Sequence, residues 1–292
     1  MNATCAGGGR NRAPAYAQSA GRETAVPKRA FRAAEALIWA ILIMLAGGLF
    51  QQLRALPVRK DVELAGYATS LRERTWSQRH HAALAARALN GRVVAPGETF
   101  SFNHAVRSWS WDCGYVKAPV SYDGELVKAF GGGVCQTSTT LYNAALLAGM
   151  QIVERHSHVF APHYVAPGRD AAVAQYQIDL RFRNPYSWPV RIAASSTRDR
   201  LDIRILGARN SPETVQVYER ILDRTLPLRL TCIARRATIV PGRAYVRNPG
   251  ATGYRVITYR VFTLHGRQVR VERLGDNSYM AMNRLVQVTA AR

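Results

Sequence analysis

Residues 131–150 read GGGVCQTSTTLYNAALLAGM. Three glycines run into Cys135, and from Thr137 to Met150 the composition predicts a helix. Leu141, Ala145 and Ala148 share one face at helical spacing, and Gly149 suits the helix end. Cys135 therefore falls at or just before a helix N-terminus. Unpaired backbone N–H groups and the positive end of the helix dipole there favour a thiolate over a thiol. The glycines permit a tight turn and leave bare N–H groups beside the sulfur. Gly133, Val134 and Gln136 are the candidate donors to an oxyanion. The parts of acyl-transfer chemistry are thus present in one short stretch. A buried structural cysteine beneath a packed helix is the alternative that the spacing leaves open.

Downstream, Ile152 to Arg155 predicts a short strand that delivers His156 and His158, which in an extended chain face the same side. A cysteine nucleophile needs a base within hydrogen-bond reach and a third group to orient that base. His158 and His156 are the candidate bases, with His158 preferred, and Asp170 is the candidate orienting group. Arg155 and Arg169 are suited to a bidentate clamp on a substrate carboxylate. Tyr164 and Ser138 are further candidates for substrate binding. A rival reading gathers Cys135, His156, His158 and His163 around zinc. Without a second cysteine or a carboxylate pair that pattern is weak, so no metal and no cofactor are assigned. His80 and His81, on a helix expected from Trp76 to Asn90, read as solvated helix residues. Trp109, Trp111 and Tyr115 read as core or groove residues.

The stretch GGGVCQTSTTLYNAAL resembles the signature of the VanW-like family of bacterial cell-envelope proteins, some of them from glycopeptide-resistance gene clusters. The resemblance extends over roughly residues 70–205. It takes in Pro96-Gly97-Glu98-Thr99-Phe100-Ser101-Phe102-Asn103, Gly114-Tyr115, Glu154-Arg155-His156-Ser157-His158, Tyr164 to Ala171 and Asp179 to Asn184. The segment His104 to Arg107 departs from the family pattern, which puts that loop in question but not the core. Some members are associated with L,D-transpeptidase activity on peptidoglycan, with the motif cysteine as nucleophile. The resemblance therefore implies a cysteine acyl-transferase acting on peptidoglycan stem peptides.

The chain of 292 residues carries a net charge of +21 and is 48% hydrophobic. That is globular composition, and the basic balance suits anionic envelope polymers or lipid headgroups. No nucleic-acid recognition module accompanies it, so no nucleic-acid partner is expected. Residues 1–33 read as a disordered basic tail. Within 34–54 the run Ala36 to Phe50 is apolar on all sides. Fifteen helical residues span roughly 22 Å against a hydrocarbon core of about 30 Å. A cleaved signal peptide and a short signal anchor both fit; the lack of a clean Ala-x-Ala site favours the anchor. Either way the basic flank places the remainder outside the cytoplasm, on the cell membrane.

Residues 55–70 are expected to be a linker, 71–208 the VanW-like domain, and 209–292 a small β module. Alternation at Ile178 to Arg183, Val190 to Ile192 and Leu201 to Ile205 predicts strands. The fold class is α+β: helices followed by an antiparallel sheet, with the all-β module last. For that module, cell-wall sugar binding and a bare structural extension are both open. Cys5 lies in the tail. Of the other three cysteines, Cys113 and Cys232 are the expected disulfide pair, which leaves Cys135 free. Two other functions stand beside the acyl-transferase: a non-catalytic envelope-binding accessory, and a metal-dependent envelope hydrolase.

Overall fold

A computed structural model of the chain describes residues 61–122, 125–208, 213–234 and 244–289. The basic tail, Cys5, the apolar run Ala36 to Phe50 and the first part of the expected linker lie outside the described residues. Among the described residues, no helix is long and apolar enough to cross a membrane.

The fold is mostly β-sheet with few helices. The strands are β1 (Val62–Ser70), β2 (Val93–Val94), β3 (Thr99–Ser101), β4 (Ala118–Tyr122), β5 (Glu125–Ala129), β6 (Gln151–Glu154), β7 (Arg181–Arg183), β8 (Val190–Ser196), β9 (Arg200–Gly207), β10 (Glu213–Thr225), β11 (Arg229–Ala234), β12 (Ala244–Asn248), β13 (Gly253–Leu264), β14 (Arg267–Tyr279) and β15 (Arg284–Thr289). The helices are α1 (Trp76–Leu89), α2 (Phe102–Val106) and α3 (Val134–Leu147), with a 3-10 turn at Trp111–Cys113.

A four-stranded sheet in the order β1-β9-β8-β2 carries α1 and α3. Its register sets Tyr67 opposite Ile203 and Ile192 opposite Ile205. Half of the segment expected as a linker is therefore an integral strand, and a strand precedes the helices. The period in Val62–Ser70 is obscured because most of its residues are partly buried. A helix on one face and solvent on the other would have made it plainer.

Helix α1 begins with a capping box in which Thr75 and Gln78 satisfy one another's backbone N–H groups. Its buried stripe is Ala82, Ala85, Ala86 and Leu89, joined by His81, which is 0% exposed. Solvation was the wrong expectation for His81: it lies on the stripe that faces the glycine turn. Trp109 and Tyr115 are core residues, whereas Trp111 is exposed.

Helix α3 is buried on nearly every side, including the polar positions Thr137, Ser138, Thr139, Thr140 and Asn143. Burying those groups is tolerable only if each finds a partner. Ser138 Oγ donates to Ala171 O at 2.6 Å, and Ala171 N–H donates to Thr139 Oγ1 at 3.0 Å. Asn143 donates to Arg169 O and accepts from Arg169 Nε, each at 2.8 Å. These bonds stitch the chain around residues 169–171 along the helix. The helix starts three residues earlier than composition predicts, because Gly133 serves as its N-cap at φ 104°. An added Cβ there would lie 2.3 Å from Gln78 O.

The C-terminal strands form two three-stranded sheets, β10-β13-β14 and β11-β15-β12, with β11 and β15 parallel. His265 and Gly266 both take positive φ in the β13–β14 hairpin turn, the conformation a type I′ turn requires. On β13 the buried face is Val256, Thr258, Arg260 and Phe262. Arg260 donates to Met150 O at 2.7 Å beyond the C-terminal end of α3, and pairs with Glu272. Val217 and Leu274 pack on the main core. Residues 59–292 form one compact unit. The expected disulfide is absent: Cys113, Cys135 and Cys232 are all free. Cys113 is exposed on the 3-10 turn, while Cys232 lies in β11 against Gln287 of β15.

Candidate active site

Cys135 is the second residue of α3. Its sulfur lies 3.4 Å from Val173 O, to which the thiol form donates. The chain returns to this point through an isolated antiparallel bridge between His156 and Ala172. The same register carried two residues further sets Asp170 opposite His158. Asp170 Oδ2 accepts from His158 N–H at 2.7 Å and from His158 Nδ1–H at 2.6 Å. Its Oδ1 accepts from Arg155 Nη2 at 2.7 Å and from the Tyr279 hydroxyl at 2.5 Å. The buried carboxylate thus has four donors. With Nδ1 committed to Asp170, the other imidazole nitrogen is left to act on the neighbouring Cys135 thiol.

The electrostatics follow from this line of three residues. Burial opposes the His158 imidazolium, but Asp170 and Cys135 outweigh it and raise the His158 pKa to about 10. Burial also pushes the Cys135 thiol up, yet the bond and charge of His158 bring it below the ordinary thiol value. Burial likewise works against the Asp170 anion, and His158 and Arg155 hold it below the usual carboxylate range. Both directions favour the imidazolium–thiolate pair over the neutral pair. Iodoacetamide should accordingly alkylate Cys135 with a pH profile centred below the ordinary thiol value. His158→Ala should move that profile upward, since burial and the Asp170 charge then oppose the thiolate with only the Val173 bond on the other side. Peptide-mapped alkylation rates against pH check this; a parent profile centred on the ordinary thiol value removes the ion pair.

The other expected residues are distributed differently. Strand β6 ends at Glu154, and His156 Nε2 pairs with Glu154 at 3.1 Å instead of approaching the sulfur. His163 faces Glu73 at 3.9 Å. Among the described residues, no group of three His, Cys, Asp or Glu side chains is placed to hold a metal ion. Arg155 is buried on Asp170, and Arg169 on Asn143 and Glu219, and neither lines the cleft beside Cys135 and His158. Ser138 is 0% exposed, its hydroxyl on Ala171 O. Tyr164 does line the site and donates to Cys135 O at 3.3 Å. Of the expected oxyanion donors, Val134 N–H is bonded to Gly131 O and Gln136 N–H to Gly133 O. Among the described residues, the N–H groups of Gly133 and of Cys135 itself have no acceptor.

Cys135 and His158 open into a cleft of about 850 Å³. One wall is the glycine turn with Arg74, Gln78 and Tyr164; the opposite wall comes from the C-terminal strands, around Pro249 and Met282. No Asp or Glu among the described residues lines it. Sequence reasoning missed Arg74, whose Nε donates to Gln136 Oε1 at 2.8 Å and whose guanidinium lies 4.8 Å from the Tyr164 ring centre. It also missed Tyr279 and Asn277, which hold Asp170 and Arg155 from β14. An Arg just before a helix cap and a Tyr ending a strand carry no local mark of such a role.

Residues 77–206 match the family described as VanW like protein. The uncharacterized protein YoaR of Bacillus subtilis (strain 168) is 45% identical over 132 residues, 45% of this chain and 44% of that protein. The vancomycin B-type resistance protein VanW of Enterococcus faecalis (strain ATCC 700802 / V583) is 37% identical over 107 residues, 35% of this chain and 38% of that protein. The chain thus spans less than half the length of these curated relatives. Among solved structures, an IgA1 protease G5 domain matches at TM-score 0.18 and 15% identity, over 27% of this chain and 94% of that one. The HP0197-G5 structure matches at TM-score 0.15 and 17% identity, over 27% and 99%. The segment that carries Cys135, His158 and Asp170 lies inside the part of the chain that matches the VanW-like family.

Proposed function

We propose that the protein is a cell-envelope cysteine acyl-transferase acting on peptidoglycan stem peptides, in the manner of an L,D-transpeptidase. The observation that carries the reading is the Cys135–His158–Asp170 alignment, with Cys135 and His158 lining an open cleft and Asp170 buried behind them. The Cys135 thiolate attacks the donor carbonyl carbon, and the carbonyl electron pair moves onto oxygen. The N–H groups of Gly133 and Cys135 are the available oxyanion donors. Collapse breaks the C–N bond, and His158 gives its proton to the departing amine, leaving a thioester. An acceptor amine then attacks the thioester; His158 takes its proton and the thiolate departs. A cleft that holds Arg74 and, among the described residues, no carboxylate favours an anionic donor such as a peptide with a free carboxylate.

Incubating stem-peptide fragments with the protein and with Cys135→Ala, followed by mass spectrometry, tests the reading. Cross-linked or exchanged peptide from the parent alone is expected. Unchanged fragments in both samples transfer the role to a non-catalytic envelope-binding accessory, a reading consistent with a relative named for vancomycin resistance. The proposal also places the described residues outside the cytoplasm, on the strength of the apolar run Ala36 to Phe50 behind a basic flank. Reporters active on only one side of the membrane, fused after Arg292, test that placement; activity from the cytoplasmic reporter alone removes both the topology and the substrate.

A further inference from the structure

We infer that His81 is a positioning residue: it holds the Gly132 carbonyl so that the Gly133 N–H faces the cleft as an oxyanion donor. The inference rests on the acyl-transfer reading of the cleft. His81 is 0% exposed and belongs to α1, outside the Cys135–His158–Asp170 line. Val116 N–H donates to His81 Nε2 at 2.9 Å, so that nitrogen carries the lone pair. The proton is then on Nδ1, which lies 2.7 Å from Gly132 O and donates to it. Burial lowers the His81 pKa and keeps the ring in this neutral form.

In a trans peptide the C=O and the following N–H point in opposite directions. Tying the Gly132 carbonyl to α1 therefore turns the Gly133 N–H away from α1. That N–H has no acceptor among the described residues, and Gly132 and Gly133 line the cleft beside Cys135. The turn has little room to rotate: added Cβ atoms at Gly132 and Gly133 would lie 2.6 Å from Pro119 O and 2.3 Å from Gln78 O. Glycines alone would leave the peptide free to flip. One buried imidazole bond, with α1 and Pro119 on either side, selects a single orientation.

The test separates two reactions of the same sulfur in the full-length chain. Acylation by p-nitrophenyl acetate passes through an oxyanion: the thiolate attacks the carbonyl carbon, the electron pair moves to oxygen, then returns as the bond to p-nitrophenolate breaks. Alkylation by iodoacetamide displaces iodide and forms no oxyanion. His81→Gln keeps a polar atom near the Nε2 position but loses the donor to Gly132. His81→Asn keeps a donor near the Nδ1 position. Acylation of Cys135 in H81Q should fall about 10²-fold, with alkylation within about twofold of the parent. H81N should recover most of the acylation. Parallel loss of both reactions in H81Q, or loss in H81N as deep as in H81Q, overturns the inference.

Should H81Q not fold, the parent supplies the readout through a peptide aldehyde, which adds to Cys135 as a hemithioacetal. The Gly133 amide proton should then move downfield in the NMR spectrum; an unmoved resonance overturns the inference. A parent acylated by the ester but inert toward stem peptides sinks the substrate reading and leaves the role of His81 standing. A parent that the ester does not acylate sinks both.

Discussion

Cys135→Ala is expected to abolish thioester formation and transfer, a loss on the order of 10⁶-fold where the nucleophile of such a triad is removed. The more informative replacement is Cys135→Ser. It changes volume little. A serine hydroxyl, however, is not ionised by the imidazolium that lowers the Cys135 pKa. The variant should fold, melt somewhat below the parent because the His158 pKa shift is reduced, and lose nearly all transfer. His158 would then face a neutral hydroxyl, and its raised pKa should fall for want of the thiolate. Mass spectrometry of the peptide products, with thermal melting of the same sample, reads both effects. Full transfer by a folded serine variant would end the enzyme reading in favour of the accessory one.

Asp170→Ala should have the largest effect on stability. The carboxylate is 0% exposed and partners Arg155, His158 and Tyr279. Its removal leaves the Arg155 guanidinium, with 8% of its side chain exposed, without its anion. Breaking a buried pair from one side typically costs about 3–5 kcal/mol. Transfer should fall as well, since the His158 ring loses the acceptor that sets its tautomer.

The pH dependence follows from the direction of each shift. The folded Asp170 pKa is depressed, so its stabilisation is present above the ordinary carboxylate pKa and is lost as pH falls through the folded value. The folded His158 pKa is raised, so its stabilisation is complete below the ordinary imidazole pKa and is lost as pH rises through about 10. Urea midpoints should therefore fall toward acid and toward alkaline pH, with a plateau between. In Asp170→Ala the acid fall should shrink and the alkaline one weaken. Midpoints that track the parent at every pH would show that Asp170 is not linked to folding.

Much of the candidate site was legible from local sequence. A glycine run into a helix can be read without a structure, because turn conformation and helix propensity are properties of neighbouring residues. That reading put Cys135 at the helix start and named His158 and Asp170, which the register through the His156–Ala172 bridge brings together. Arg155 and Arg169 were charged residues beside a reactive motif. Whether an arginine faces a ligand or a buried carboxylate depends on what packs over it, and spacing does not record that. His81 has the sequence setting of a solvated histidine and becomes a buried clamp only when the glycine turn is laid against α1.

The chain by itself determined the positions of α1, α3 and the β8–β9 pair, the family resemblance, and three residues of the candidate site, because those rest on short-range patterns. Only the tertiary structure decided the rest. It joined β1 to the main sheet, set the β13 and β14 faces against the end of α3, and delivered Tyr279 to Asp170 across 109 positions. Contacts of that reach depend on which faces remain apolar after every element has formed. A buried carboxylate then recruits whichever donors the packing brings within about 3 Å.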